Sequence, residues 1–394
     1  VAATPGEVPR VLFIPTRAWR RVLDLPVLVA VVTTVVALVT TAGRSGTAAL
    51  PAVLTGAGAS AGPAGAVLLT VSLLVGLPHG AVDLLRPEVL APGATARHRR
   101  AVTAAYLGGA LVVACCWLVS PSPTLLGLLL LAGVHFAAAD DGTSRWKAGT
   151  GRPSPFRERL PGLVAAGGLP VAVPLGLHGE AVHDVLAGLS GGHASVVVTC
   201  ARVCAVPVLA AAVAAVVLTL RLRRWSAAVE TAALAGLFVL VTPLLAFAVY
   251  FGLWHSWRQV ARMVAVDAAR DRVAPSAALR AFCRTAALPT ALTVAAGTVA
   301  VLAGGNSVLV VGLALVLCLT VPHSVVVARA DGSLRRPRRA GHRPDGATGR
   351  RPARVTAGPP AGPAPARRPP APARARNPAA GSRAAGAARG RTPR

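Results

Sequence analysis

Residues 242–259 read TPLLAFAVYFGLWHSWRQ. An apolar run of Leu, Ala, Val and aromatic side chains ends abruptly in Trp254, His255, Ser256, Trp257 and Arg258. A charge at membrane depth costs at least ~2.5–3.5 kcal/mol, so an ionisable side chain closing such a run is a candidate for function. Neutral imidazole is also the commonest side-chain ligand of transition metals. The plainer reading is an interfacial belt, with Trp and His rings at headgroup level. This stretch alone does not separate the two; the other histidines do.

Of the 394 residues, 54% are hydrophobic and only 14% charged. Apolar runs of about 20 residues, the length of a bilayer-spanning helix, recur along the chain. The fold class is therefore all-α, a polytopic transmembrane helical bundle. Spans are expected near 26–42, 64–85, 101–119, 124–141, 160–178, 195–220, 227–257, 282–303 and 306–328. The fifth carries Gly167, Gly168, Pro170 and Pro174 and should be kinked. The run 227–257 is interrupted by Glu230 and broken at Thr242–Pro243, so it reads as two short crossings, a re-entrant loop or one kinked helix. The total is about 8–10 spans.

Three regions follow: a basic lead-in over 1–25, the bundle over 26–330, and a tail over 331–394. The formal charge of +27 suggests nucleic acid, but from Gly332 to Arg394 there are 16 Arg against one Asp. This Arg, Pro, Ala and Gly tail cannot bury a core and should be disordered. Its expected partner is anionic lipid, at ~1 kcal/mol per basic residue, and no nucleic acid. Arg-rich segments at the N-terminus, 86–100, 142–159, 221–224 and 258–280 alternate with Arg-poor loops at 43–63, 120–123, 178–193 and 304–306. The positive-inside rule then makes this a multi-pass cell-membrane protein with both termini cytoplasmic. The six cysteines form no CxxC pair and read as small buried hydrophobes.

With 227–257 crossing twice, His79, His135, His255 and His323 fall on outside-to-inside spans, each several residues before the inner end. Four imidazoles at one depth are what a metal site in a helical bundle needs. Asp83 lies four residues after His79, and Asp140 five after His135; such carboxylates can orient imidazoles through the outer ring nitrogen. Imidazole suits Zn, Cu, Fe and Ni, and the lack of paired thiolates argues against zinc fingers and Fe–S clusters. Bis-His haem needs facing pairs, which a sequence does not reveal. His178, after the kinked span, is a candidate for lining a substrate route, and the loop and tail histidines receive no role.

GLPHGAVD (76–83), HFAAAD (135–140), GGLPVAVPLGLH (167–178), PLLAFAVYFGLWHSWR (243–258) and VPH (321–323) occur in this order. In these motifs, over roughly residues 65–328, the chain resembles the Brp/Blh family of membrane β-carotene 15,15′-dioxygenases. The resemblance implies a non-haem Fe(II) centre held by histidines, and cleavage of β-carotene's central double bond by O2 to two retinals. It carries His79, His135 and His255 over as iron ligands. Two positions depart from the family pattern: Ala137 replaces a Gly, and Gln259 replaces the second His of WHSxRH. His323, at the same depth, is the expected fourth ligand, with Gln259 placed to hydrogen-bond near the site. A long polyene would reach the iron through an intramembrane tunnel, for which Tyr250, Phe251, Trp254 and Trp257 are candidate walls. A retinal-binding rhodopsin would be the natural acceptor of the product.

The competing class is a transporter or channel in which intramembrane His and Asp form a proton relay. Transporters commonly carry repeat symmetry, and none is evident by eye.

Overall fold

The computed structural model describes residues 17–45, 63–85, 93–148, 155–304 and 308–335. The tail beyond 335, most of the lead-in and the loop at 46–62 lie outside the described residues. Every regular element within them is helical. Helix α1 covers Arg17–Ser45 and α2 Pro63–Ala81, followed by one 3-10 turn at Asp83–Leu85. Helices α3 (Ala96–Val119) and α4 (Pro121–Ala148) form a hairpin. Thr95 caps α3, its hydroxyl accepting from the His98 amide at 3.2 Å. α3 stops at Ser120, because a residue before proline is pushed out of helical geometry, and Pro121 opens α4.

The fifth expected span is not one kinked helix but two pieces, α5 (Phe156–Gly168) and α6 (Ala172–Leu177). The polar loop expected at 178–193 is also helical: a 3-10 turn leads into α7 (His183–Ser190), which ends at Gly191 with φ +64. Val182, Leu186 and Leu189 bury one face of it, a helical spacing hidden among His, Asp and Gly. Helix α8 covers Ala194–Arg221 and α9 Trp225–Leu240.

The run 227–257 parts where expected. Val241 and Thr242 are extended ahead of Pro243, so two separate helices form rather than one kinked rod. α10 (Pro243–Ala248) passes into a π-helical stretch, Val249–Ser256, and then into α11 (Trp257–Asp271). Much of the basic loop expected over 258–280 is therefore helix. Its Arg residues mask an apolar stripe, Ala261, Val264, Ala265 and Ala268, which is buried. Finally come α12 (Pro275–Gly304) and α13 (Val308–Arg335).

Among the described residues, five helical segments are long and apolar enough to cross a membrane: Arg21–Val39, Ala96–Val119, Pro121–Lys147, Ala194–Arg221 and Leu309–Arg329. Leu74–Leu85 and Trp225–Leu240 are shorter apolar helices. The outward faces carry Leu and Val, as a bilayer requires. Five of the six cysteines are exposed on these faces, not buried as expected, because small thiols suit a lipid-facing surface as well as a core. The largest core cluster gathers Leu169, Leu237, Phe238, Tyr250 and Trp254. Gly133 and Gly167 let α4 and α5 meet backbone to backbone: a Cβ on Gly133 would lie 3.1 Å from the Gly167 carbonyl oxygen. That contact lies half a turn from His135.

Candidate metal centre

Four helices each deliver one histidine to the interior. His79 sits in the last turn of α2 after Pro78, His135 in the middle of α4, and His323 on α13 after Pro322. His255 lies in the π-helical stretch, whose wider turn is a common device at functional sites. All four side chains are buried. Ring centres are 5.2 Å apart for His79 and His255, and 5.1 Å for His255 and His135. They are 4.8 Å apart for His135 and His323, and 5.1 Å for His323 and His79. The four rings close a circuit.

Two of the four outer ring nitrogens are tied back, while Nδ1 of His255 is buried without a hydrogen-bond partner among the described residues. Nδ1 of His79 hydrogen-bonds the Gly76 carbonyl, and Nδ1 of His323 meets Asp83 Oδ2 at 2.7 Å. Each bond fixes a tautomer in which Nδ1 carries the proton and Nε2 keeps its lone pair. Nε2 of His323 is buried with no hydrogen-bond partner. Nε2 of His135 and Nε2 of His255 stand 3.4 Å apart, the separation of about 3.4 Å expected for two nitrogens on one tetrahedral ion with bonds of ~2.1 Å.

Among the described residues, no three His, Cys, Asp or Glu side chains are drawn in as a finished coordination site. The ring spacing nonetheless fits four ligands of one ion. Helix positions set that spacing, while the terminal imidazole torsion is soft. An all-imidazole, neutral donor set suits iron, copper, nickel or zinc.

The centre borders a cavity of about 440 Å³. Its walls are almost wholly aliphatic and aromatic, and the four imidazoles form its main polar patch. Phe251 lines it, beside Phe136 and Phe247. The other three expected wall residues do not. Tyr250 is fully buried behind His255, packing on Phe136 and Phe238 with ring centres 5.1 and 5.4 Å away. Trp254 turns to the opposite side, where its indole N–H donates to Asp140 at 3.3 Å and Arg258 lies 4.0 Å over its ring. Trp257 is partly exposed and donates to the Val22 carbonyl on α1. Adjacent residues such as Tyr250 and Phe251 point to different faces of a helix, and the wider π-helical turn carries Trp254 away from the face of Phe251. His178 is buried against the Val239 carbonyl, also away from the cavity.

The carboxylates have different partners from those the spacing suggests. Asp83 serves His323 on a distant helix rather than His79 on its own, and the Tyr106 hydroxyl donates to it at 3.1 Å. Asp140 serves Trp254 and lies 3.7 Å from Arg258, not beside His135. Gln259 is buried one turn beyond His255 and makes no hydrogen bond to the four imidazoles among the described residues. Three functional groups escape the sequence reading: the Gly76 carbonyl, Tyr106 and Glu230. Tyr106 had a signal, since the chain holds only two tyrosines and this one stands in an apolar span. Glu230 had one too, as a carboxylate in an apolar helix, and it pairs with Arg258 at 3.0 Å. The Gly76 carbonyl had none.

The family model described as β-carotene 15,15′-dioxygenase matches residues 70–331, a stretch that contains all four histidines. A curated relative, the probable β-carotene 15,15′-dioxygenase Blh of Halobacterium salinarum, is 32% identical over 312 residues, covering 72% of this chain and 89% of the relative. No solved structure matches the chain. The extent of the family match and the identity to this relative show that the chain belongs to the β-carotene 15,15′-dioxygenase family.

Proposed function

We propose that the protein is a membrane carotenoid oxygenase that splits the central double bond of β-carotene with O2, giving two molecules of retinal. One observation carries the reading: an apolar cavity within a bundle of membrane helices, whose main polar patch is four imidazoles. The reaction breaks one C=C bond and forms two C=O bonds, with one atom of O2 in each aldehyde. It needs no outside reductant and releases no proton.

Ferrous iron is the metal proposed for His79, His135, His255 and His323. When bound there, it supplies the activation of O2 that side chains and a polyene lack. The chain's own residues do the remainder. The Gly76 carbonyl and Asp83 hold two rings with Nε2 inward. Phe136 and Phe251 flank His255, with ring centres 4.9 and 6.5 Å away, and restrict its rotation. The aliphatic walls exclude water and hold the polyene beside the imidazoles. Retinal released into the bilayer would be available to a retinal-binding rhodopsin.

Expression in β-carotene-producing cells tests this directly. The expected result is loss of orange colour, appearance of retinal, and about one iron per purified chain. Unchanged carotenoid with stoichiometric zinc would sink the proposal.

A further inference from the structure

The cavity lining includes the four histidines, a buried leucine cluster and two exposed leucines. From His135, Ala132, Leu129 and Leu125 continue its wall back along α4 at helical spacing. From His323, Thr320, Val316 and Leu313 do the same along α13. Both ladders run ten residues, or about 15 Å at the helical rise. The two helices pack together, and α7 packs across both. There Leu186 and Leu189 form a floor, only 4% and 5% exposed, with Leu125 at 1% beside them. Trp117 fastens that floor, its indole N–H donating to the Leu189 carbonyl at 2.7 Å.

On the other side, Tyr106 and Leu107 of α3 and Pro289 and Leu292 of α12 continue the wall. Among the described lining residues, only Leu107 and Leu292 are exposed, at 57% and 62%. Both stand on apolar faces between α3 and α12, helices that each lean on α13. The mouth therefore opens sideways, toward lipid.

We propose that the closed arm is a length gauge. One end of the carotenoid enters between Leu107 and Leu292, passes the imidazoles and stops on Leu186 and Leu189. The arm's depth then decides which double bond rests at the four histidines. The inference depends on the oxygenase reading above and adds to it the residues that select the cleaved bond. Dispersion and apolar burial act in both arms alike, so walls alone favour no register along a uniform polyene. A hard floor does, because overpacking against a closed end is strongly unfavourable. Position is thus set by a stop about 15 Å from the metal centre, not by any group at the centre itself.

The test is the length distribution of carbonyl cleavage products made in β-carotene-producing cells. The unsubstituted chain should give retinal alone. Leu186→Ala and Leu189→Ala deepen the arm, so discrimination between the central and neighbouring bonds should fall roughly 10-fold or more, the worth of a few methylenes in a pocket. An unequal pair of carbonyl products, a longer aldehyde and a shorter methyl ketone in place of two retinals, should appear. Leu186→Phe makes the arm shallower and should also give an unequal pair. Leu186→Val, a smaller change, should move the products in the same direction as alanine, which keeps the test open if the alanine variants fold poorly. Leu130→Ala, on the outward face of α4 where the side chain is 72% exposed, should still yield retinal alone. If the valine, alanine and phenylalanine variants cleave and give only retinal, the gauge is wrong while the oxygenase reading stands. If the unsubstituted chain makes no aldehyde of any length, the oxygenase reading falls, and the gauge with it.

Discussion

Asp83 and His323 lie 240 residues apart in the chain, yet the carboxylate oxygen and ring Nδ1 are 2.7 Å apart inside the bundle. The contact joins the turn after α2 to α13, so it fixes both a ring orientation and a helix position. Loss of such a partner typically weakens metal affinity or activity 10–100-fold. Asp83→Ala should do so here, with retinal formation and retained iron falling together under a chelator titration. Asp83→Asn keeps an acceptor oxygen and should fall between. Tyr106→Phe, which removes only one donor to Asp83, should have the smallest effect of the three.

The second prediction concerns the fourth ligand. His323 completes the circuit of rings, whereas Gln259 hydrogen-bonds none of them among the described residues. His323→Ala should therefore release iron and abolish cleavage, as should His79→Ala. Gln259→Ala should keep its iron. Gln259→His adds an imidazole one turn from His255 and separates the alternatives. A large gain in activity from it, with His323→Ala still loaded and active, would show that His323 is only a packing residue.

The third prediction rests on Gly252, inside the π-helical stretch. A Cβ there would lie 3.0 Å from the Ser72 carbonyl oxygen and 3.1 Å from its Cα, backbone atoms that cannot swing aside. Gly252→Ala should cost ~1–3 kcal/mol through overpacking and push α2, with His79, away from His255. Thermal unfolding in detergent should show a lower Tm, with lower iron content. Ser72→Ala, which loses only the hydroxyl bond to the Ala248 carbonyl, should cost about 1 kcal/mol.

The bundle and its four histidines were legible because hydropathy reports burial in lipid and ionisable residues stand out against it. The break at Thr242–Pro243 was legible for the same reason: proline is a local signal. What stayed hidden was lateral. Spacing placed Asp83 near His79, but which helix faces it depends on packing, and the neighbour proved to be α13. The π-helical stretch likewise defeated the reading of Tyr250, Trp254 and Trp257 as cavity walls, because side-chain directions follow from turn geometry. α7 and α11 were missed since a short apolar stripe under charged residues resembles a loop until something packs against it.

Arg258 gives the last prediction. It is 1% exposed, lies 3.0 Å from Glu230 and 3.7 Å from Asp140, and stacks 4.0 Å above Trp254. Although the ion-pair distance to Glu230 is short, none of the guanidinium nitrogens has a well-aligned hydrogen-bond partner. Coulombic and cation–π attraction thus contribute to holding it. Lys147 also reaches Glu230, so the cluster ties α4, α9 and α11 together on the side of Trp254 away from the cavity. Removing one member of a buried pair strands its partner, at ~3–5 kcal/mol. Arg258→Met should thus lower Tm sharply and reduce iron loading, because α4 and α11 carry or adjoin His135 and His255. Arg258→Lys keeps the charge but not the flat stacked group, and should recover only part. Arg258→Met combined with Glu230→Gln and Asp140→Asn removes the stranded charges and should restore much of the Tm. If the triple variant unfolds as readily as Arg258→Met alone, the guanidinium's packing, rather than its charge, holds these helices.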